Sequence, residues 1–189
     1  MRIFLIIVVA IVAIILIIPA FIDEEVIITR SVEINKPVEQ VYNVVKDLNY
    51  YREWNAWAEM DQGSTGEISG PVGEVGSKYS WKGDTIGTGS LTIEHLVPNQ
   101  SITSKIEFIA PWTGVAQEMW NFEMVNSNTT NVEYTYSAMA ESYFMRYMNP
   151  MAEGMIGPPT EMGLANLKVL IEAMEPMEAD TAMTMEEEM

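Results

Sequence analysis

The chain has 189 residues and a formal net charge of −17, with no cysteine and a single histidine. The negative charge argues against nucleic-acid binding, because phosphate groups are bound by basic surfaces. The absence of cysteine excludes disulfides, thiolate metal sites and a cysteine nucleophile, and one histidine excludes a multi-histidine metal site. We therefore predict no metal and no cofactor. The chain is nevertheless 48% hydrophobic and 10% aromatic, which indicates a packed core rather than disorder.

The N-terminus carries an uncharged apolar segment, residues 3–22. As a helix, twenty residues span about 30 Å, which is the thickness of the hydrocarbon layer of a membrane. A cleaved signal peptide usually has a shorter apolar region and a small residue three positions before the cleavage site, where Ile18 stands here. The sequence therefore predicts an uncleaved single-pass transmembrane anchor over residues 1–22, followed by a domain over residues 23–174.

The flanking charges give a prediction of orientation. Arg2 precedes the apolar segment and acidic residues follow it directly. The positive-inside rule then keeps the N-terminus in the cytoplasm and places the C-terminal domain on the extracytoplasmic side. Residues 175–189 are acidic, lack basic residues and show little apolar pattern, so we expect a disordered tail.

After the apolar segment the sequence changes to the period of a strand and then of a helix. Hydrophobic residues alternate over residues 26–34, which predicts a strand. Pro37 opens a helical pattern over residues 37–47. A second short helix is expected over residues 49–56, close to the aromatic residues Tyr50, Tyr51, Trp54 and Trp57.

The middle of the chain predicts six strands separated by glycine, proline and asparagine turns. Their ranges are 65–69, 76–82, 87–97, 101–110, 115–125 and 131–138. In the fifth of these strands Trp120 and Phe122 alternate with Asn121 and Glu123. Such regular alternation is typical of antiparallel strands with one covered and one solvated face.

The C-terminal part is helical. Apolar periodicity predicts helices over residues 143–156 and 160–174, separated at Gly157-Pro158-Pro159, because proline is tolerated at the start of a helix but not inside one. Only this segment is long enough to cover the sheet. The predicted fold is therefore α+β: a helix-grip fold, in which a curved antiparallel sheet is wrapped on a long C-terminal helix, with a transmembrane helix before it.

Five segments resemble the SRPBCC superfamily. Ser31–Tyr42 resembles its opening strand and helix, and Tyr51–Trp57 the segment after its second helix. Gly76–Trp81 and Gly89–Ile93 resemble its central strands, and Gly163–Lys168 its last helix. The superfamily includes START lipid-transfer domains, the birch-pollen-allergen fold and polyketide cyclase or dehydrase-like proteins, and the chain looks most similar to the membrane-anchored polyketide cyclase-like branch. The resemblance, over residues 26–172, implies a hydrophobic ligand between the sheet and the last helix.

The inward-facing strand positions supply candidate wall residues for such a ligand site. Tyrosine and tryptophan give apolar surface with one polar atom, which suits a sterol, acyl or aromatic ligand. The same side chains are equally expected of a core that is simply filled. The ligand-binding candidates are Tyr79, Trp81, Ile93, Ile106, Phe108, Trp120, Phe122, Tyr134 and Tyr136 on the sheet, with Met155 and Met162 closing the site from the helix.

Two residues are candidates for proton-transfer chemistry. His95 is the only side chain whose ordinary pKa lies near neutrality. Strict alternation with Leu91 and Ile93 points it inward, but Pro98 follows closely and a β-bulge at this strand end could turn it outward. Glu118 shares a strand face with Trp120 and is a candidate buried acid, although exposure at an edge is also expected of it. No paired acid and base is evident, so we assign no catalytic residue beyond these two candidates.

Three functions remain open at this stage. The first is membrane-tethered binding of a hydrophobic small molecule or lipid, with few titratable groups in the cavity. The second is a polyketide cyclase or dehydrase-like enzyme acting on an aromatic or polyketide-type substrate, with His95 or Glu118 inside the cavity. The third is a tethered interaction domain with a filled core. We favour the first, because the sequence offers little chemistry to assign.

Overall fold

A computed structural model describes residues 1–175, so the predicted disordered tail lies outside the described residues except for Glu175. The helices are α1 (Arg2–Ile17), α2 (Val38–Lys46), α3 (Tyr51–Trp54), α4 (Ala56–Met60) and α5 (Asn149–Ala173), with 3₁₀ turns at Ile18–Phe21, Leu48–Tyr50 and Tyr143–Met148. The strands are β1 (Glu25–Ile34), β2 (Thr65–Ser69), β3 (Lys78–Lys82), β4 (Thr88–Val97), β5 (Ser101–Ala110), β6 (Gly114–Asn126) and β7 (Thr129–Met139).

The seven strands form one antiparallel sheet in the order β1-β7-β6-β5-β4-β3-β2. Strands β2 to β7 are a meander, and β1 pairs with β7 along its full length, from Glu25 opposite Met139 to Ile34 opposite Thr130. The predicted helix-grip α+β fold is confirmed: an N-terminal apolar helix precedes a seven-stranded antiparallel sheet and a long C-terminal helix.

Helices α2 and α5 cover one face of this sheet. From α5, Leu164, Leu167 and Ile171 are buried, and α2 packs Tyr42 edge-on against Phe122 of β6 with the ring centroids 5.5 Å apart. The burial of these apolar side chains is the main force that holds helix to sheet. The C-terminal half of α5 is tied further by Glu172, whose carboxylate accepts two hydrogen bonds of 2.8 Å from the Asn35 backbone and side-chain amides.

The prediction of two separate C-terminal helices was wrong, because α5 runs unbroken through Pro158 and Pro159. The two prolines lack the N–H groups that would bond the carbonyls of Gly154 and Met155. Both of these residues are exposed, so their carbonyl groups are not confined to an apolar core. The packing of the apolar face of α5 on the sheet therefore outweighs the local preference of proline to end a helix.

The N-terminal apolar segment is helical from Arg2 to Phe21, long and apolar enough by its length and composition to cross a membrane. Almost none of it is buried against the rest of the protein. A signal sequence can also pass this test of length and composition, so the role of the segment as an anchor belongs to the functional argument below.

Candidate functional site

Two small cavities lie between the sheet, the short helices α3 and α4, and helix α5. They share the wall residues Tyr51, Trp54, Glu118 and Trp120 and have volumes of about 40 Å³ and 10 Å³. The larger is also lined by Asn55, Ala56, Trp57, Tyr134, Pro159, Thr160, Gly163 and Leu164, and the smaller by Val45, Leu48, Ile93, Ile102 and Ser104. We call them together the central cavity.

Aromatic side chains form the wall of the central cavity in a connected row. Trp54 meets Trp120 edge to face at 5.6 Å between ring centroids, and Trp120 meets Tyr134 at 4.8 Å. On the other side Trp54 contacts Tyr51 at 5.0 Å, and Tyr51 contacts Tyr79 at 4.8 Å. Edge-to-face packing favours these rings beyond the area they bury. The row is continued by Trp81 and Phe108.

Glu118 of β6 is the one acidic side chain in this aromatic wall. It is 4% exposed, and the indole N–H of Trp120 donates a hydrogen bond of 3.2 Å to its carboxylate. Burial raises the pKa of Glu118 to about 7, although the hydrogen bond from the Trp120 indole opposes this shift, as do the nearby Ser104 and Tyr134 hydroxyls, which adjoin the carboxylate without the geometry of a hydrogen bond. The carboxyl group is therefore half protonated near neutral pH.

The charge of Glu118 also affects the neighbouring phenols. Burial raises the pKa of Tyr51 and of Tyr134 well above the ordinary value, and the nearby carboxylate adds to both shifts. Both tyrosines therefore stay protonated at physiological pH. Glu118 is then the cavity group that changes its proton occupancy near neutrality.

Two buried polar atoms of the cavity wall have no hydrogen-bond partner among residues 1–175. They are the indole Nε1 of Trp54 and the hydroxyl of Ser104, whose residue lies directly opposite Glu118 in the β5–β6 pair. Trp54 is 6% exposed and Ser104 is 1% exposed. Buried polar groups are almost always hydrogen-bonded, so an unpartnered donor beside a cavity marks a place where a bound molecule or water can bond.

The volume of the central cavity limits what it holds in this conformation. About 40 Å³ accommodates one or two water molecules, whereas pockets for drug-sized ligands have about 300–1,000 Å³. A larger ligand therefore requires that a wall moves. Pro159, Thr160 and Gly163 form the wall on α5, at and just beyond the prolines that weaken the hydrogen-bond ladder of this helix.

The structure places only part of the predicted wall residues at the cavity. Trp120 and Tyr134 line the larger cavity, and Ile93 lines the smaller. The core contains the remaining inward sheet residues, which do not line either cavity: Tyr79, Ile106, Phe122 and Tyr136, which are buried, and Trp81 and Phe108, which are partly buried.

The prediction that Met155 and Met162 close the site was wrong. They are 51% and 38% exposed, because α5 turns Gly157, Gly163 and Leu164 toward the interior instead. The two methionines are seven residues apart and so share the opposite, outer face of the helix.

His95 lies on the solvent side of the sheet. The β4–β5 register shifts between Ile93 and His95, and this irregularity leaves Ile93 buried and His95 exposed. A shift of one residue exchanges the two faces of a strand. His95 is therefore separated from the central cavity and from Glu118.

Sequence reasoning missed the contribution of the short helices and of Ser104. Tyr51 and Trp54 were recognised as an aromatic cluster but were not assigned to the cavity. Their spacing of three residues places them on one side of a helical turn, which is the signal that would have grouped them. Asn55 then turns the chain, because its side-chain oxygen accepts a hydrogen bond of 2.8 Å from the Trp57 amide and starts α4.

Comparison with known proteins supports the fold. No family model matches the chain, and no curated protein matches it. Protein CV1439 from Chromobacterium violaceum is similar, with 15% identity over 77% of this chain and 96% of its own, and a TM-score of 0.58. The Zhui aromatase/cyclase of Streptomyces sp. R1128 has 16% identity over 78% and 94%, and a TM-score of 0.57. Ara h 8.0201 has 8% identity over 78% and 97%, and a TM-score of 0.55. At these identities the likeness shows the helix-grip fold alone.

The raised pKa of Glu118 predicts a pH-dependent stability. The carboxyl is protonated more readily in the folded state, with a pKa of about 7, than in the unfolded chain, with a pKa near 4.5. The stability that the Glu118 carboxyl group contributes is therefore fully present below its pKa in the unfolded chain and is lost as the pH rises through 7, its pKa in the folded state. In the wild type, Glu118 should lower the free energy of unfolding by about 2–3 kcal/mol as the pH rises from about 5 to about 8. The Glu118→Gln variant should lack this decrease.

Chemical denaturation of the full-length protein in nonionic detergent measures this difference. The matched control is Glu123→Gln, on the exposed face of the same strand, which should keep the wild-type pH dependence. If the Glu118→Gln variant and the wild type lose equal stability over this range, then Glu118 is not a buried acid.

Proposed function

We propose that this protein is a membrane-tethered binding protein for a small hydrophobic molecule, which it holds in the central cavity between the sheet and α5. One observation carries the proposal: the unpartnered Trp54 indole N–H and Ser104 hydroxyl stand beside Glu118 inside an aromatic wall. An apolar wall with a few polar groups directed at one point is the usual composition of a ligand site.

The chemistry of these groups describes the ligand. Trp54 offers a hydrogen-bond donor, Ser104 a donor and an acceptor, and Glu118 donates or accepts according to its protonation. The rings of Tyr51 and Trp120 offer apolar contact surface. We therefore expect a flat or compact apolar molecule with one oxygen function, such as a phenol or a ketone, rather than an anion, which the acidic exterior disfavours.

A ligand of this kind needs more space than the cavity has, and a displacement of part of α5 would provide it. The C-terminal half of α5 is anchored by Leu167 and Ile171, which are both fully buried, and by Glu172. The half before Pro158 is held less firmly: Ala152 and Ile156 are only partly buried against the core, and Glu153 forms a surface ion pair with Arg30 of β1. Surface ion pairs contribute little stability, so a bend at Pro158 and Pro159 that displaces this half, together with the adjoining wall residue Thr160, is the least costly way to enlarge the cavity.

The apolar segment from Arg2 to Phe21 supports tethering to the membrane. Its length and composition suit a transmembrane helix. Every acidic residue of the chain lies after residue 22, so the rest of the chain is strongly acidic overall and its net charge does not attract it to an anionic bilayer. The retained helix is then the element that holds the domain at the membrane.

The structural neighbours are compatible with this proposal and with a catalytic one. One is an aromatase/cyclase, and another is the DynU16 protein of the dynemicin biosynthetic locus, which has 15% identity over 82% of this chain and 49% of its own, and a TM-score of 0.56. The resemblance to a membrane-anchored polyketide cyclase-like branch belongs to this proposal as well. A cyclase or dehydrase-like activity on an aromatic or polyketide-type substrate is the second candidate function.

One specific observation favours that second candidate. Glu118 is buried in the cavity, and its pKa of about 7 is suited to a group that gives and takes protons near neutrality. Its partner Trp120 fixes the carboxylate without neutralising it. We rank binding first, because the described cavity brings no second acid or base to Glu118.

Ligand binding is tested with a cavity-filling variant. Gly163 lines the larger cavity, and a Cβ atom added there has only ordinary contacts of 3.7 Å or more, so a larger side chain enters the cavity. In 5-fluorotryptophan-labelled full-length protein, 1-naphthol should shift the Trp54 and Trp120 fluorine signals in a saturable way. Gly163→Leu should weaken this binding at least about tenfold, equivalent to about 1.4 kcal/mol.

Two further variants control this experiment. Gly154→Leu alters an exposed glycine of the same helix that has no atom within 4 Å of its added Cβ, so it should bind 1-naphthol like the wild type. Gly163→Ala keeps the fold and should weaken binding to an intermediate degree. Unchanged Trp54 and Trp120 signals, or equal affinity in all variants, would contradict a ligand site at the central cavity.

The catalytic candidate makes a separate prediction. A molecule that co-purifies with the protein and is released from it should be converted to a product by the wild type, with a rate that depends on an ionisation near pH 7. Glu118→Gln should abolish conversion but retain binding. Mass spectrometry of the mixture measures both. Turnover that persists in the Glu118→Gln variant rules out acid–base catalysis by this residue.

The proposed orientation places residues 23–189 outside the cytoplasm, as the single Arg2 before the apolar segment suggests. Alkaline phosphatase is active only after export. A fusion of this enzyme to the C-terminus of the full chain should therefore be active, and a fusion of a cytoplasm-dependent reporter should be inactive. The reverse pattern would place the domain in the cytoplasm.

A further inference from the structure

The strand register places several chain segments at one end of the sheet. Strand β1 begins at Glu25, directly after the apolar segment, and Glu25 lies opposite Met139, the last residue of β7. Ala138 also pairs with Ala116 near the start of β6. The turn between β5 and β6 therefore lies at the same end as the anchor, and we call this end the membrane-side end.

The 3₁₀ turn before α5 contacts the anchor itself. The Tyr143 hydroxyl donates a hydrogen bond of 2.7 Å to the Leu16 carbonyl, and the Tyr147 hydroxyl donates one of 2.5 Å to the Ile15 carbonyl. Leu16 lies six residues before the end of the apolar segment, which is about 9 Å along a helix. If residues 3–22 span the hydrocarbon layer, these two carbonyls lie about 9 Å or more inside its edge, so the 3₁₀ turn reaches the bilayer surface when its tyrosine hydroxyls contact them.

The membrane-side end exposes large apolar side chains. Trp112 at the tip of the β5–β6 turn is 64% exposed, and Phe144 beside the anchor is 54% exposed. Scattered exposed apolar residues are ordinary, but a group of them on one surface marks an interaction site. This group, which we call the interfacial patch, consists of Ile109, Trp112, Val115, Met139, Phe144, Met145, Met148 and Met151.

The two parts of the interfacial patch are neighbours. A Cβ atom added to Gly114 would lie 3.9 Å from the Glu141 carboxylate, so the β5–β6 turn adjoins the segment between β7 and Tyr143. The four methionines from Met145 to Met155, in the 3₁₀ turn and the first half of α5, recur at three-residue or four-residue spacing. Their exposure shows that they neither fill the core nor line the central cavity.

The charges of this end indicate how it contacts a membrane. Asp23, Glu24, Glu25 and Glu141 are acidic, and Arg146, which forms an ion pair with Glu24, is the basic residue among them. Attraction to anionic lipid headgroups is therefore not available here. Aromatic and methionine side chains instead suit insertion at the interface between water and hydrocarbon.

We propose that the interfacial patch is embedded in the headgroup layer of the bilayer, so that the domain is docked on the membrane by the Trp112 turn and the Phe144–Met151 segment. This inference rests on the proposed transmembrane anchor. Docking brings the first half of α5 to the membrane surface. Further along the same helix, Pro159 and Gly163 form part of the wall of the central cavity. An apolar ligand dissolved in the bilayer would then reach the cavity along α5.

Trp112 is a natural probe of this docking, because it is the most exposed of the five tryptophans. Full-length protein is reconstituted into phosphatidylcholine vesicles with and without brominated acyl chains, which quench tryptophan on contact. The difference in fluorescence between wild type and Trp112→Phe reports Trp112. We expect brominated lipid to quench this difference signal by more than half, and equally at about 0.1 M and about 1 M salt.

The matched control is Trp57→Phe. Trp57 of α4 lies in the cavity wall together with Gly163 of α5, and Gly163 is twelve residues, or about 18 Å along the helix, from Met151 of the interfacial patch. Its difference signal should be insensitive to brominated lipid. A Trp112 signal that resists brominated lipid and is quenched by aqueous iodide overturns the docking proposal. Protein that does not float with the vesicles overturns the anchor and the docking together. Neither result affects 1-naphthol binding in the central cavity, which tests the ligand proposal independently.

Discussion

The burial of the Glu118 carboxyl group among aromatic rings is the constraint on which the candidate site depends. A charge is unfavourable in this environment. The carboxylate accepts one hydrogen bond from the Trp120 indole and its pKa is raised, whereas the part of the cavity wall that the structure describes offers no cation to pair with it. Trp54 and Ser104 remain unpartnered beside it. An interior with unused polar groups around a titratable acid is unfavourable for a filled core, which is the reason for proposing a ligand that bonds these groups.

Helix α5 links this site to the rest of the molecule. Its C-terminal half is fixed by Leu167 and Ile171, which are fully buried against the sheet. Its N-terminal half is apolar on the outside and is connected to the anchor, whereas Pro158 and Pro159 separate the two halves. In the proposed function, the well-packed half of α5 keeps its part of the cavity wall fixed and the loosely held half moves. Access to the cavity and the proposed contact with the membrane would then be properties of the same element.

Periodicity was sufficient to predict the fold, because strand alternation and helical spacing depend on residues close in sequence. The six strands of the meander and the covering helix follow from such local patterns, whereas the pairing of β1 with β7 was not predicted, because it joins segments that are far apart in sequence. The site was less predictable. Alternation placed Trp120 and Tyr134 inward, but it did not distinguish the wall of a cavity from a filled core, as at Phe122 and Tyr136. Met155 and Met162 were misplaced because the continuation of α5 through two prolines fixes which face of the helix meets the sheet. The position of Trp54 depends on how two short helices pack on α5, which no local pattern contains.

The ionisation of Glu118 tests the central claim most directly. In full-length protein labelled with ¹³C at the glutamate carboxyl groups, the carboxyl signals are followed by NMR as the pH is raised, and the Glu118 signal is assigned by its loss in Glu118→Gln. The buried site predicts one glutamate that titrates at about 7, and 1-naphthol should alter its signal. A Glu118 signal that titrates near 4.5 and is unaffected by 1-naphthol would contradict a buried acid in a ligand site.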